Sequence, residues 1–182
     1  MPVLSLNSQK LLLDLARRSI QTYLGSEAEP AFEPSPPEVL IPRGCFVTLR
    51  KHGALRGCIG TFDDSQPLYQ AVMRMAVAAA VQDPRFAPLV KSELDEVRIE
   101  ISVLGELQKM KSLEELELGK HGILIRYGLR SGAFLPQVAV EQGWSQEEFL
   151  TACALEKAGL SPRECSQADV YLFEVEKFLE PD

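Results

Sequence analysis

The strictest pattern in the chain is the alternation of apolar and polar side chains from Val97 to Val103. Apolar residues hold every odd position and polar residues every even one, in the order Val-Arg-Ile-Glu-Ile-Ser-Val. Successive side chains of a strand point to opposite faces of its sheet. The alternation therefore predicts a strand with one face in a core and the other in water, which is typical of an antiparallel sheet covered on one side.

Helical periodicity predicts the elements that cover such a sheet. Apolar residues recur at three- and four-residue steps from Asn7 to Leu24, which predicts an amphipathic helix that ends at Gly25. A second helix opens near Ser65 and Pro67, and its alanine-rich side predicts close packing on the sheet. This helix should end before the stretch Asp83-Pro84-Arg85-Phe86, because a residue that precedes proline disfavours helical geometry.

A hairpin is predicted from Gly44 to Arg50 and from Ala54 to Thr61, around Lys51-His52-Gly53. With a three-residue loop and Gly53 in the left-handed conformation, Leu49 would lie opposite Leu55. In the same register Cys45 would lie opposite Ile59. The face opposite this apolar set would then hold Phe46, Thr48, Arg56 and Cys58.

The second half of the chain predicts a smaller substructure. The stretches 122–127 and 132–135 suggest another hairpin, so residues from about 106 to 135 would form a small lobe within a single domain of residues 1–182. Ser145 and Glu148 form a capping-box pattern that opens a helix. Residues 170–178 begin with an apolar run on both faces and predict one final strand that is central in its sheet or covered on both sides.

Composition limits the classes of function. The chain has 182 residues, 19 Lys and Arg, 26 Asp and Glu, and a net charge of −7, with no basic run. General nucleic-acid binding depends on clustered cations and is not expected. The first helix contains charged residues, so neither a signal peptide nor a membrane span is expected, and we predict a cytoplasmic protein without membrane association.

The cysteines and motifs indicate no metal and no cofactor. Four cysteines without a C-x-x-C pair or short histidine spacing do not suggest a zinc site, and a reducing compartment would keep them as thiols. A phosphate-cradling glycine loop is absent from the sequence as well.

The stretch Leu55-Arg56-Gly57-Cys58-Ile59-Gly60-Thr61 is the strongest candidate for a functional site. Glycine weakens a strand and often marks a close approach by a ligand or another backbone. Cys58 is a candidate nucleophile, with Arg56 favouring its thiolate and His121 as a base if the fold brings it near. The alternative is that Cys58 is a small buried apolar residue.

Other polar residues also have two interpretations. Arg56 either binds an anion or forms an ion pair with Asp83 or Glu141, whereas Arg85 braces its own loop. His121 lies in a turn-like stretch, where a histidine often braces the loop. The candidate binding residues are Thr48, Arg56, Gly57, Gly60, Asp83, Arg85 and Glu141.

Six ordered stretches connect the chain to a known family. They are Leu55-Arg56-Gly57-Cys58-Ile59-Gly60, Asp83-Pro84-Arg85-Phe86, Gly119-Lys120-His121-Gly122, Leu135-Pro136-Gln137-Val138-Ala139, Glu141-Gln142-Gly143-Trp144 and Lys157-Ala158-Gly159-Leu160. With these stretches, the chain resembles the AMMECR domain family over nearly its full length. The resemblance implies an α+β fold with a large lobe of mainly antiparallel sheet packed with helices, a smaller lobe, and the first stretch facing the region between them.

The resemblance implies partners but no agreed biochemical activity. Members in bacteria and archaea are associated with a Memo-type protein and a radical SAM protein, in a grouping called the AmmeMemoRadiSam system. Three functions therefore stay open, so the sequence does not decide whether the protein is an enzyme. The first is a binding or adaptor protein in which Leu55–Gly60 lines a groove for a peptide or partner. The second is a thiol-dependent enzyme that uses Cys58, and the third is an accessory subunit that binds a small molecule or an anion.

Overall fold

The computed structural model describes residues 4–25 and 36–181. The prolines of residues 29–42 predict a surface connection, and its first half, residues 29–35, lies outside these ranges. Within them the chain is α+β, as expected. The helices are α1 (Leu6–Tyr23), α2 (Leu68–Val81), α3 (Pro136–Gln142), α4 (Gln146–Ala152) and α5 (Pro162–Cys165). The strands are β1 (Cys45–Lys51), β2 (Ala54–Thr61), β3 (Val97–Leu104), β4 (Gln108–Lys109), β5 (Gly122–Tyr127), β6 (Arg130–Phe134), β7 (Asp169–Phe173) and β8 (Val175–Leu179).

The chain divides into two compact units. The first unit contains residues 4–25, 36–104 and 176–181 of the described chain, and the second contains Gly105–Val175. The lobe predicted at about 106–135 falls inside the second unit, which continues beyond it. That the whole chain forms a single domain stays a prediction.

The first unit is built on a four-stranded sheet with the order β2-β1-β3-β8. Helices α1 and α2 contribute to the same apolar core as β1 and β3. The alanine-rich side of α2 is buried, as predicted, with Ala76 and Ala79 almost fully inaccessible. The cap of α1 is Ser5, since the Ser5 hydroxyl accepts the Ser8 backbone N–H. The cap of α2 is Pro67, and Ser65 lies before it.

The turn of the first hairpin is shorter than predicted. Lys51 pairs with Ala54, which leaves a two-residue turn of His52 and Gly53. Both turn residues have positive φ, 51° and 80°, as a type I′ turn requires. His52 therefore also takes a left-handed conformation, which the sequence analysis predicts for Gly53 alone.

The predicted register of this hairpin is wrong. Thr48 lies opposite Cys58, Val47 opposite Ile59 and Cys45 opposite Thr61. Leu49 pairs with Gly57 and Arg50 pairs with Leu55, so Arg56 is the extra residue of a β-bulge. The shorter turn and the bulge together shift the pairing by two residues. Beyond the bulge the shift is two residues, so Cys58 still shares a face with Thr48. Between the turn and the bulge the shift is one residue, so Leu55 moves to that face.

Of the polar face of β3, Arg98 is exposed to water as predicted, but the next two polar residues are not. Glu100 is 6% exposed and Ser102 is 1% exposed, so polar residues of the alternating pattern are buried with the apolar ones. The strand itself is present at the predicted position, Val97–Leu104. The pattern correctly indicated the strand, but not the environment of its second face.

The second unit contains a sheet with the order β4-β7-β5-β6. Its core surrounds Phe149 and Ile123, both fully buried. The capping box of Ser145 and Glu148 forms as predicted at the start of α4. The predicted last strand is in fact two strands, because the chain is irregular at Glu174 and β7 and β8 belong to different sheets.

Candidate functional site

The glycines of the motif allow two close contacts. A Cβ atom on Gly57 would lie 2.2 Å from the backbone oxygen of Ala79 in α2. A Cβ atom on Gly60 would lie 2.2 Å from the Phe46 ring and 2.7 Å from the Cys45 backbone oxygen. The expected close approach therefore comes from the helix backbone at Gly57 and from β1 at Gly60.

Asp83 holds the main chain of the motif. Its Oδ2 atom accepts the Cys58 backbone N–H at 2.8 Å and the Arg85 Nη2–H at 2.7 Å. Its Oδ1 atom accepts the Arg85 backbone N–H at 3.1 Å and Nε–H at 3.0 Å. The Asp83 carboxyl group is buried, and its hydrogen bonds with Arg85 hold its pKa well below the ordinary range.

Arg85 completes this arrangement, which we call the Asp83–Arg85 clamp. Its Nη2 atom lies 3.5 Å from the Cys58 carbonyl oxygen. The two side chains therefore contact both main-chain polar groups of Cys58 on the outer side of β2, where a neighbouring strand would otherwise bind. Arg85 was predicted to brace its own loop, and the clamp adds a contact to the motif.

The Cys58 thiol is half-buried on the side of the sheet that carries Thr48. The Thr48 hydroxyl donates to the Cys58 Sγ atom at 3.2 Å. Burial raises the pKa of the thiol, and Asp83 and Glu100 raise it further, whereas the Thr48 hydrogen bond and the charge of Arg85 lower it. The net direction is upward, so the site disfavours the thiolate that nucleophilic attack requires.

Arg56 forms its ion pair with Glu93, which the sequence analysis does not name as a partner. Its Nη2 and Nε atoms lie 2.9 Å and 3.2 Å from the two carboxylate oxygens of Glu93, and its Nη1 donates to the Ala87 carbonyl at 2.9 Å. The predicted partner Asp83 is bonded to Arg85 instead, and a pairing of Arg56 with Glu141 of the second unit stays a prediction. The hydrogen bond from Arg56 is the main cause that lowers the pKa of Glu93 to about 2.

One row of side chains crosses three strands. Cys58 on β2 lies opposite Thr48 on β1, which lies opposite Glu100 on β3. The Glu100 carboxylate is paired with Arg50 at 3.4 Å and with Lys177 at 3.0 Å. Sequence reasoning missed Glu100 and Glu93, because only the correct register and the tertiary fold bring them to the motif.

His121 and Glu141 belong to the second unit, whereas the other candidate residues belong to the first. The His121 Nδ1 atom accepts the Glu117 backbone N–H at 3.1 Å, so the ring braces its own turn. Glu141 is exposed on α3. The structure thus brings Thr48, Cys58 and the clamp together, and the roles assigned to His121 and Glu141 stay predictions.

A groove lies beside the last residues of β2. Its volume is about 680 Å³, within the range of ligand sites, roughly 300–1,000 Å³. One wall is β2 and the other is α2. The lining residues are Ile59, Gly60, Thr61, Asp63, Arg74, Met75, Val77, Ala78 and Gln82.

The described residues contain neither a metal-ligand cluster nor a membrane-spanning helix. Among residues 4–25 and 36–181, histidine, cysteine and carboxylate side chains form no group of three that could hold a metal ion. In the same part of the chain, no helix has the length and apolar character needed to cross a membrane.

In residues 4–25 and 36–181 the fold is α+β with two four-stranded antiparallel sheets, and similarity to known proteins identifies the family. A sequence model of AMMECR1 matches residues 13–178. The chain belongs to the AMMECR1 family, as the resemblance predicted.

Relatives of similar length support this assignment. Protein MK0488 of Methanopyrus kandleri is 42% identical, over 98% of this chain and 91% of its own. Protein PH0010 of Pyrococcus horikoshii is 40% identical, over 94% of this chain and 89% of its own. The crystal structure of PH0010, an uncharacterized protein, matches with a TM-score of 0.85 over 93% of this chain and 90% of the other, at 38% identity.

Proposed function

We propose that this protein is a cytoplasmic binding or adaptor protein, and that the Leu55–Gly60 motif borders its interaction groove. The observation that carries the proposal is the groove of about 680 Å³ beside the last residues of the motif. The motif glycines and the clamp fix the main chain along this groove. They position a surface rather than activate a nucleophile.

The surroundings of Cys58 favour binding over thiol catalysis. A nucleophilic thiol needs a lowered pKa or an adjacent base, whereas burial raises the pKa of Cys58. Asp83 is nearby, but its pKa is lowered and it already accepts four hydrogen bonds, so it is a weak base. The thiol-dependent enzyme stays the alternative, with Cys58 as nucleophile and Arg56 and His121 assisting.

The family resemblance supplies the first candidate partners, a Memo-type protein and a radical SAM protein. The test measures binding of these two purified proteins to the immobilised chain by biolayer interferometry. Thr61→Arg places a charged side chain in the groove. Ser131→Arg is the control, because it makes a similar hydroxyl-to-arginine change on an exposed strand position of the second unit.

The proposal expects Thr61→Arg to weaken partner binding at least tenfold and Ser131→Arg to leave it unchanged. It also expects Cys58→Ser to retain binding, because the thiol lines no part of the groove. Loss of a measured turnover in Cys58→Ser, with fold and partner binding intact, would support the enzyme instead. Equal binding by all three variants would remove the motif from the interaction.

A further inference from the structure

The outer edge of β2 is only partly occupied. In the described part of the chain, β2 is the terminal strand of its sheet. The clamp contacts the N–H and the carbonyl oxygen of Cys58. An unpaired strand edge can pair with another chain, and natural proteins commonly cover such edges. The clamp covers this edge at Cys58, and β2 continues beyond the clamp to Thr61.

Gly60 presents its main-chain groups at the same edge. In an antiparallel pair, residues alternate between those that bond to the neighbouring strand and those whose polar groups point away from it. Cys58 directs its N–H outward to Asp83, and the pairing continues without a further shift from Cys58 to Thr61. Gly60, two residues on, therefore also directs its N–H and carbonyl outward.

The groove runs along this part of the edge. Helix α2 supplies a wall from residues one turn apart, Arg74, Ala78 and Gln82, and Met75 and Ile59 supply apolar surface. Gln82 immediately precedes the clamp at one end, and Asp63 lines the groove as well. The lining stretch of β2, Ile59 to Thr61, spans about 10 Å at the rise of a strand, enough for about three residues of an added strand.

Arg74 gives the groove a cationic group. Its side chain is 46% exposed, and its Nη2 atom lies 3.8 Å from the Asp63 Oδ2 atom. The other carboxylate oxygen of Asp63 accepts the Ser65 backbone N–H at 2.9 Å, so Asp63 also braces its own turn. Arg74 therefore has donors left for a second carboxylate, and a bidentate Arg–carboxylate pair is a strong hydrogen-bonded contact.

We propose that the groove binds an extended peptide segment of the partner, which adds a strand to the outer edge of β2 at Gly60. An apolar side chain of the segment packs on Ile59 and Met75, and an acidic side chain pairs with Arg74. Strand addition of this kind takes affinity from main-chain hydrogen bonds and specificity from alternate side chains. The inference rests on the proposed function and assigns the chemical class of its ligand.

The probe is a nine-residue peptide selected from a random phage-displayed library on the full chain. Its affinity is measured by fluorescence polarisation for the parent peptide and for two N-methylated series, one at odd and one at even residues. An added strand bonds through alternate residues only. One series should therefore lose about tenfold or more in affinity, the equivalent of about 1.4 kcal/mol, and the other should stay within about threefold.

Arg74→Glu and Arg18→Glu form a matched pair of protein variants. Both arginines lie on helices and face an aspartate at a similar distance, 3.8 Å for Arg74 and 3.7 Å for Arg18. Selected peptides should carry an acidic residue, and their affinity should fall about tenfold or more in Arg74→Glu but not in Arg18→Glu. Circular dichroism and the unfolding midpoint confirm that both variants are folded.

Three results would overturn the proposal: no peptide selected by the library, equal loss in both N-methylated series, or equal affinity of both charge variants. The proposed function fails separately. If Thr61→Arg blocks the Memo-type or radical SAM protein while Arg74→Glu and excess peptide do not, the groove binds its partner without strand addition. If neither protein responds to Thr61→Arg but the peptide results hold, the groove binds peptides and the partner assignment is wrong.

Discussion

Asp83→Asn tests the clamp directly. The substitution keeps the size of the side chain but removes its charge and leaves one oxygen as acceptor. Of the four hydrogen bonds that Asp83 accepts, two use Oδ1 and two use Oδ2. Asparagine can therefore retain two of them, and its NH₂ group then faces the two remaining N–H donors.

The expected loss of stability follows from these contacts. A hydrogen bond to a charged group contributes about 1.5–3 kcal/mol, so two lost bonds correspond to about 3–6 kcal/mol. The Asp83 side chain is 2% exposed, whereas that of Arg85 is 55% exposed and can bind water after the change. Because the variant also avoids burying a charge, we expect a loss of about 2–4 kcal/mol. For a chain of 182 residues, this lowers the melting temperature by roughly 4–16 °C.

The assay combines urea unfolding with hydrogen exchange. Unfolding is followed by circular dichroism, and an unchanged slope is required before midpoints are compared. Hydrogen exchange, read on a peptide that covers residues 54–61, should be faster in the variant at the Cys58 amide. Asp63→Asn is the control, because the Asp63 side chain is 46% exposed and should lose less than about 0.5 kcal/mol.

The loss of stability in Asp83→Asn should also depend on pH. The folded-state pKa of Asp83 lies below its ordinary value of about 3.9. The carboxylate therefore stabilises the fold above this pH, and the contribution is lost as the pH falls towards the folded-state pKa. The stability difference between the wild type and Asp83→Asn should narrow below about pH 4. A loss under 1 kcal/mol at pH 7, with unchanged exchange at Cys58, would refute the role of the clamp.

Three further predictions concern the same unit. Alkylation of Cys58 by iodoacetamide should be slower than in the unfolded chain but faster than alkylation of Cys45. Cys45 is fully buried, and this burial raises its pKa to about 12. Mass spectrometry of timed samples measures both rates. Gly57→Ala should destabilise the fold by about 1–3 kcal/mol or more in urea unfolding, because the added Cβ would lie 2.2 Å from a helix backbone oxygen. An unchanged free energy of unfolding would contradict the close approach. The pKa of Glu93 is lowered from 4.5 to about 2. The Glu93 carboxylate therefore stabilises the fold above about pH 4.5, and this contribution is lost as the pH falls towards 2. Glu93→Gln should flatten the pH profile of the unfolding midpoint between these two pH values.

The first hairpin shows how much of the fold the sequence predicts. The apolar and turn pattern placed both strands within a residue or two of β1 and β2. The register failed because Lys51-His52-Gly53 fits two turn types, and the structure adopts the one in which His52 has a positive φ. The bulge at Arg56 has tertiary causes, since Gly57 packs against α2 and Arg56 reaches Glu93. A local pattern contains neither cause.

The last two strands show a different difficulty. The residues 170–173 are an apolar run, and the apolar Val175 and Phe178 follow closely, which makes 170–178 look like one strand. The chain instead leaves the sheet of β5 and joins the sheet of β3 within this run. Periodicity describes which residues are buried, but it does not name the sheet that buries them. The same limitation of periodicity explains why Glu100 and Ser102 were predicted to lie in water although both are buried.

The candidate site was identified from residue types, and the structure changes what those types mean. Asp83 and Arg85 were expected as binding residues, yet their contacts are with each other and with the main chain of Cys58. Gly57 and Gly60 leave room for a helix and a ring already present in the fold. If these residues determine the path of β2, the chemistry exposed by the motif is that of a strand edge with a groove beside it. A strand edge binds main-chain groups, which is why N-methylated peptides, and not only side-chain substitutions, are the informative test of this site.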